Sequence, residues 1–120
     1  MKIPCEIVVW YVLPMIRREL SRELVQAHGM TQAEVARMFG VTDAAISQYL
    51  KKKRGSMPEI EELPLYEDFL AEIRRSAESI STHRSDFYSE MCRLCCHVKA
   101  SGLLAVIYKN QTGVLPSQCC

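Results

Sequence analysis

Residues 32–50, QAEVARMFGVTDAAISQYL, decide the fold. Thr31 precedes them as an N-cap, and Glu34, three residues on, completes a capping box. Val35 and Phe39 recur at helical spacing, so 32–39 reads as a short amphipathic helix. Gly40 stands where the chain must leave that helix with positive φ, a conformation that penalises any Cβ. Thr42 can cap a second helix over 43–53. Ala36 is small at the point where two steeply crossed helices come closest. Val35, Phe39, Val41, Ile46 and Leu50 are expected in the core the pair shares.

Two short helices crossing through a turn of three or four residues make a helix-turn-helix. Caps, small residue, glycine and apolar spacing all agree on it here, and such agreement across levels identifies a motif. In this motif the second helix lays its N-terminal part in the DNA major groove. With Ile46 and Leu50 inward, Asp43, Ala44, Ala45, Ser47 and Gln48 are expected to face outward behind Thr42. Gln48 can pair bidentately with adenine, and Ala44 or Ala45 can pack on a thymine methyl. Asp43 either accepts from cytosine or serves only the helix dipole. Gln32 and Ser47 are candidates for phosphate contacts. Lys51, Lys52, Lys53 and Arg54 continue toward the DNA backbone, where they would supply salt-dependent affinity. The plainer reading of that run is a solvated, dipole-matched helix end.

Outside this stretch, 120 residues suit one core, and 48% hydrophobic with 24% charged residues is a globular composition. The net charge of only +1 is low for a nucleic-acid binder, so its distribution matters. Residues 1–57 hold nine Lys/Arg against five Asp/Glu, whereas residues 58–84 hold three against seven. The positive charge therefore sits with the helix pair. No nucleophile–base pair or phosphate loop is evident, so the chain does not read as an enzyme.

Upstream, 5–28 reads as one long helix with Val8, Val12, Ile16, Leu20 and Leu24 as its apolar stripe. Val9, Leu13 and Met15 widen it, and Arg17, Arg18, Glu19, Arg22 and Glu23 are expected on a solvated face. Pro14 should kink or divide this helix, and Gly29 should end it. Ile7–Leu13 is also rich in β-formers and could be a short strand. Trp10 and Tyr11 suit core or dimer packing. Ile7–Pro14 is too short an apolar run to span a membrane and lacks the flanks of a signal peptide, which points to a cytoplasmic protein.

Downstream of the breaker cluster Gly55–Pro58, Tyr66, Phe69, Leu70, Ile73, Ala77 and Ile80 mark one face of a third amphipathic helix. Ser85-Asp86 can cap another over 87–101, stopped by Gly102. Leu103–Tyr108 is undecided, and 110–120 reads as an irregular tail. The expected organisation is all-α, with a DNA-binding unit over 1–57 and a helical extension over 58–120. His28 and His83 have no ligand-spaced partners and read as surface or capping residues.

Residues 1–55 resemble small archaeal transcriptional regulators with a Cro/lambda-repressor-like (Xre-type) helix-turn-helix. The likeness rests on Pro4–Val9, Thr31-Gln32, Ala44–Leu50 and Lys53-Arg54-Gly55, and continues less closely into the part around Met91–Cys95. It implies transcription regulation on a double-stranded DNA operator. A homodimer is expected, because two-fold pairing matches palindromic sites. The Tyr66–Ile80 helix and the helix carrying Cys92 are its expected surfaces.

Six cysteines in a cytoplasmic chain favour metal or redox chemistry over structural disulfides. Cys92, Cys95 and Cys96 fall at i, i+3 and i+4, one face of a helix. With Cys119, Cys120 and Cys5 they form a sulfur-rich set suited to a [4Fe–4S] cluster. His97 could add a nitrogen for zinc, the alternative metal. The plain alternative is that Cys95 and Cys96 are merely small buried hydrophobes and hold no cofactor. Binding that responds to a cluster or to redox state is thus one expectation. A structural zinc, or an antitoxin-like interaction module, are the others.

Overall fold

The computed structural model describes residues 3–51 and 54–114, and its regular elements there are all helical. They are α1 (Pro4–Ile7), a π-helical segment (Val8–Val12), α2 (Leu13–Gln26), α3 (Gln32–Phe39), α4 (Asp43–Leu50), α5 (Pro58–Glu61), α6 (Pro64–Ser81), α7 (Phe87–Ala100) and α8 (Leu103–Thr112). The chain is an all-α protein, a helix-turn-helix carrying a helical extension.

Helix runs from Pro4 to Gln26, with neither a strand nor a break at Pro14. Pro14 has no N–H to donate, and the ladder widens just ahead of it. The Leu13 N–H bonds to the Val8 carbonyl, five residues back. A π turn of this kind carries a helix past a missing donor. Gly29, at φ 69°, ends the rod, and the Met30 N–H closes it on the Leu24 carbonyl at 3.1 Å.

The α2 helix packs against α3 and α4 and also against α6 and α7. That double cover corrects one expectation. Val12, Met15, Ile16, Leu20 and Leu24 are buried as the stripe requires, but so are Arg18 and Glu19. A helix covered from two directions has no wide solvated face, so part of its charged face must pair internally. Arg18 Nη1 donates to Glu19 Oε2 at 3.0 Å and lies 3.5 Å from Glu61. Arg22 holds the other Glu19 oxygen at 3.1 Å, and the Tyr66 hydroxyl donates to Oε2. Burial pushes the Tyr66 phenol far above its usual range and the Glu19 charge adds to this, so Tyr66 stays a donor. Glu61 in turn accepts from the Met57 N–H at 2.8 Å, which ties α5 into the same group.

The apolar face of α6 is spent inside the molecule. Tyr66, Phe69, Ile73, Ala77 and Ile80 are buried and Leu70 is partly buried, with α2 and α7 packed on this helix. That face is therefore not open to a second copy, whereas the outer face of α6, with Glu67, Asp68, Ala71, Arg74, Arg75 and Glu78, is exposed. The α6–α7 contact is pinned by Glu90, which accepts from Ser76 Oγ at 2.7 Å and from Arg93 Nε at 3.0 Å. Burial alone would raise the Glu90 carboxyl, but the bonds from Ser76 and Arg93 hold it below its usual range. Asp86 caps α7 as anticipated, accepting from the Ser89 N–H at 2.7 Å. The undecided stretch after Gly102 is helix through Thr112, so the irregular tail does not begin at residue 110. Leu103, Ile107 and Tyr108 fold that helix back onto the core. One core cluster runs through both sides of the 57/58 boundary.

Gly55 joins the two sides. It has φ 74°, and a Cβ there would drive into the Pro14 carbonyl and approach Arg18 Cβ at 3.0 Å. Backbone, unlike a side-chain end, cannot move aside cheaply. Gly55→Ala is expected to cost about 2–3 kcal/mol from positive φ and overpacking together. The check is the urea midpoint by circular dichroism, with Gly113→Ala as control. Gly113 shares a positive φ of 79° but has open space around it, so its cost should be smaller.

Candidate nucleic-acid interface

The turn between α3 and α4 is built as its residues require. Thr31 Oγ1 accepts from the Glu34 N–H at 3.1 Å, and Glu34 Oε1 accepts from the Thr31 N–H at 3.2 Å. These bonds lower the Glu34 carboxyl pKa and satisfy two donors at the helix start. Gly40 adopts φ 69°, ψ 33°, and the following Val41 N–H returns to the Ala36 carbonyl at 3.0 Å. Thr42 Oγ1 then accepts from the Ala45 N–H at 3.1 Å and starts α4. Ala36 is 1% exposed, at the crossing where only a small side chain fits.

The frame of α4 is turned slightly from expectation. Ala45, Ile46 and Tyr49 are its buried residues. Ala45, expected to face outward, is only 7% exposed and cannot reach a thymine methyl. It precedes Ile46 and lies one turn before Tyr49, so it shares their inward stripe. Leu50, expected inside, is partly exposed, and Tyr49 takes its place at 3%. The helix also ends at Leu50 rather than continuing to 53.

What remains outward is a stripe. Asp43 and Ala44 are exposed, Ser47 and Gln48 are partly exposed one turn on, and exposed Lys51 follows. Thr42 and Gln32 are exposed at the starts of α4 and α3. Lys52 and Lys53 lie outside the described residues, and Arg54 is exposed. Exposed Arg37 in α3 adds a cation near the turn that was not among the expected contacts; its signal was its place opposite the apolar spacing of Val35 and Phe39.

The helix pair is anchored to the extension by aromatic stacking. Phe39, which closes α3, stacks on Phe87, which opens α7, with centroids 4.4 Å apart and planes 22° apart.

The cysteines sit elsewhere. Cys92 and Cys96 are exposed on α7 with Cys95 partly buried between them, and Cys5 is exposed in α1. Burial raises the Cys95 thiol, which Lys99 only partly offsets. Cys119 and Cys120 lie outside the described residues. Among the described residues no three His, Cys, Asp or Glu side chains are grouped to hold a metal ion. No single described helix is long and apolar enough to cross a membrane.

No curated protein and no solved structure matches the chain. Residues 22–72, from within α2 to within α6, match the helix-turn-helix family model HTH_3. Sequence pattern and turn geometry over Thr31–Leu50 agree with the family model, whose match spans residues 22–72, on a helix-turn-helix of the Cro/lambda-repressor-like kind, a domain type of DNA-binding transcription regulators.

Proposed function

We propose that the chain is a sequence-specific transcription regulator that reads an operator with α4 and acts as a homodimer. The observation that supports this best is the outward stripe Ala44–Ser47–Gln48–Lys51 on a helix fixed at its start by Thr42 and Gly40. Gln48 stands where a base edge can be read, and Lys51 where phosphates pass.

An operator selected from random duplexes supplies the test. Gln48→Ala should weaken that operator by about 1–3 kcal/mol while leaving nonspecific DNA nearly unchanged. Lys51→Ala should weaken all duplexes alike and flatten the salt dependence by about one phosphate. Equal affinity of Gln48→Ala and the parent for the operator would remove α4 from the reading role.

For the second copy we propose a surface at the start of the rod. Ile3, Val9 and Trp10 are 54%, 56% and 56% exposed, an apolar group at the start of the rod. Large exposed apolar groups of this kind mark interaction sites, and a two-fold operator calls for a two-fold protein. Trp10→Glu should therefore shift the sedimentation coefficient from dimer to monomer at micromolar concentration and weaken operator binding. A parent protein that is already monomeric would end the dimer proposal.

Response to an iron–sulfur cluster or to redox state is a lesser proposal, supported by the shared α7 face of Cys92 and Cys96 with Cys95 beside them. Iron and sulfide in anaerobically purified protein would sustain it. Zinc alone would replace it with a structural site.

A further inference from the structure

A cleft of about 850 Å³ opens between the helix-turn-helix and the extension. Three parts of the chain line it: the end of the first rod with His28 and Met30, α3 with Glu34 and Met38, and the α6–α7 turn from Ile80 to Ser89. The volume falls in the range of small-ligand sites.

Its polar groups are not equivalent. Glu34 is committed to the Thr31 cap, and Asp86 to the α7 cap. Both carboxylates thus already face backbone N–H groups. Arg84 makes no ion pair among the described residues and lines the same cleft. His28 Nδ1 lies 3.1 Å from Ser81 Oγ, whose own proton is directed at the Glu78 carbonyl at 3.0 Å. Nδ1 is then the donor in that pair, and Nε2 of the neutral ring is left as an acceptor, which does not suit an anion. Met30, Met38 and Phe87 supply an apolar wall.

His83 adds an independent sign. It has φ 59°, the one non-glycine residue with positive φ among those described. The Arg84 N–H returns to the Ser79 carbonyl at 2.9 Å, so His83 occupies the position after a helix end where glycine is the unstrained choice. The chain places a histidine there instead, at a position that lines the cleft. Strain retained at a cavity wall points to use of the side chain.

We propose that this cleft binds a small organic anion with an apolar body. Arg84 and His83 take the anionic end, and Met30, Met38 and Phe87 take the body. Such a ligand touches α3 and the α6–α7 turn at once. On the reading of the chain as a DNA-binding regulator, it would bias the placement of α3 against the extension and so act as an effector.

Phenyl phosphate is the probe, titrated into the ¹⁵N-labelled full chain without DNA. Saturable shifts confined to amides of 28–38 and 80–89 are expected, with inorganic phosphate and benzyl alcohol each at least tenfold weaker. Arg84→Ala should weaken the probe at least fivefold. His83→Gly should raise the urea midpoint yet weaken the probe severalfold, a combination that a purely structural histidine would not give. Scattered or non-saturating shifts would overturn the proposal, as would Arg84→Ala and His83→Gly variants that bind as the parent does. Because DNA is absent, this result stands or falls separately from operator recognition.

Discussion

Glu19→Ala is expected to destabilise the protein by about 3–5 kcal/mol, a large part of a small domain's whole stability. Glu19 is 6% exposed, and its two oxygens receive Arg18, Arg22 and Tyr66. Arg18 is fully buried, with Nε and Nη2 lacking acceptors among the described residues. Removing Glu19 leaves Arg18 with Glu61 at 3.5 Å as its remaining carboxylate. The cost is thus less the loss of a good pair than the stranding of a buried cation. Glu19→Gln keeps acceptor and donor atoms in place and should cost less. The triple variant Arg18→Met, Glu19→Leu, Tyr66→Phe removes charges and hydroxyl together and should recover most of the loss. Urea midpoints for the three variants decide the matter. A triple variant as unstable as Glu19→Ala would show that packing, not stranded charge, sets the cost.

This network also shows where the sequence stopped being informative. The helix pair was legible because its signals are local. Thr31 with Glu34, Gly40, and Thr42 each act within four residues, and each adopts the geometry its spacing implies. The burial of Arg18 and Glu19 is set by α6, some fifty residues away, and an i, i+1 pair of opposite charges looks the same on a solvated helix. The frame of α4 that buries Ala45 is likewise set from outside the helix. The apolar pattern Ala45, Ile46, Tyr49 and Leu50 fits two frames about one residue apart, and only the packing partner chooses between them. Pro14 announced a disturbance but not its form, since a kink and a π turn both answer a missing N–H. The cleft beside His83 has no sequence signature, because its walls come from three separated segments.

Phe39→Ala is the second change of large expected effect, about 3–5 kcal/mol for truncating a buried ring. Phe39 is 6% exposed and directly precedes Gly40, so it fixes the end of α3 at the turn into α4. Its stacked partner, Phe87, belongs to the extension, so their contact ties the helix pair directly to α7. Phe39→Leu, which refills most of the volume without a ring, should cost less. A double-mutant cycle of Phe39→Leu with Phe87→Leu separates the stack from burial in general, with a coupling of about 0.5–1.5 kcal/mol expected. Coupling near zero would mean that the rings merely fill space, and that α3 is held by α2 and α4 alone. A positive coupling gives α7 a mechanical hold on the turn that sets the angle of α4. Changes imposed on α7, whether by a ligand in the adjoining cleft or by chemistry at Cys92 and Cys96, would then have a packed route to α4, the helix proposed to read DNA.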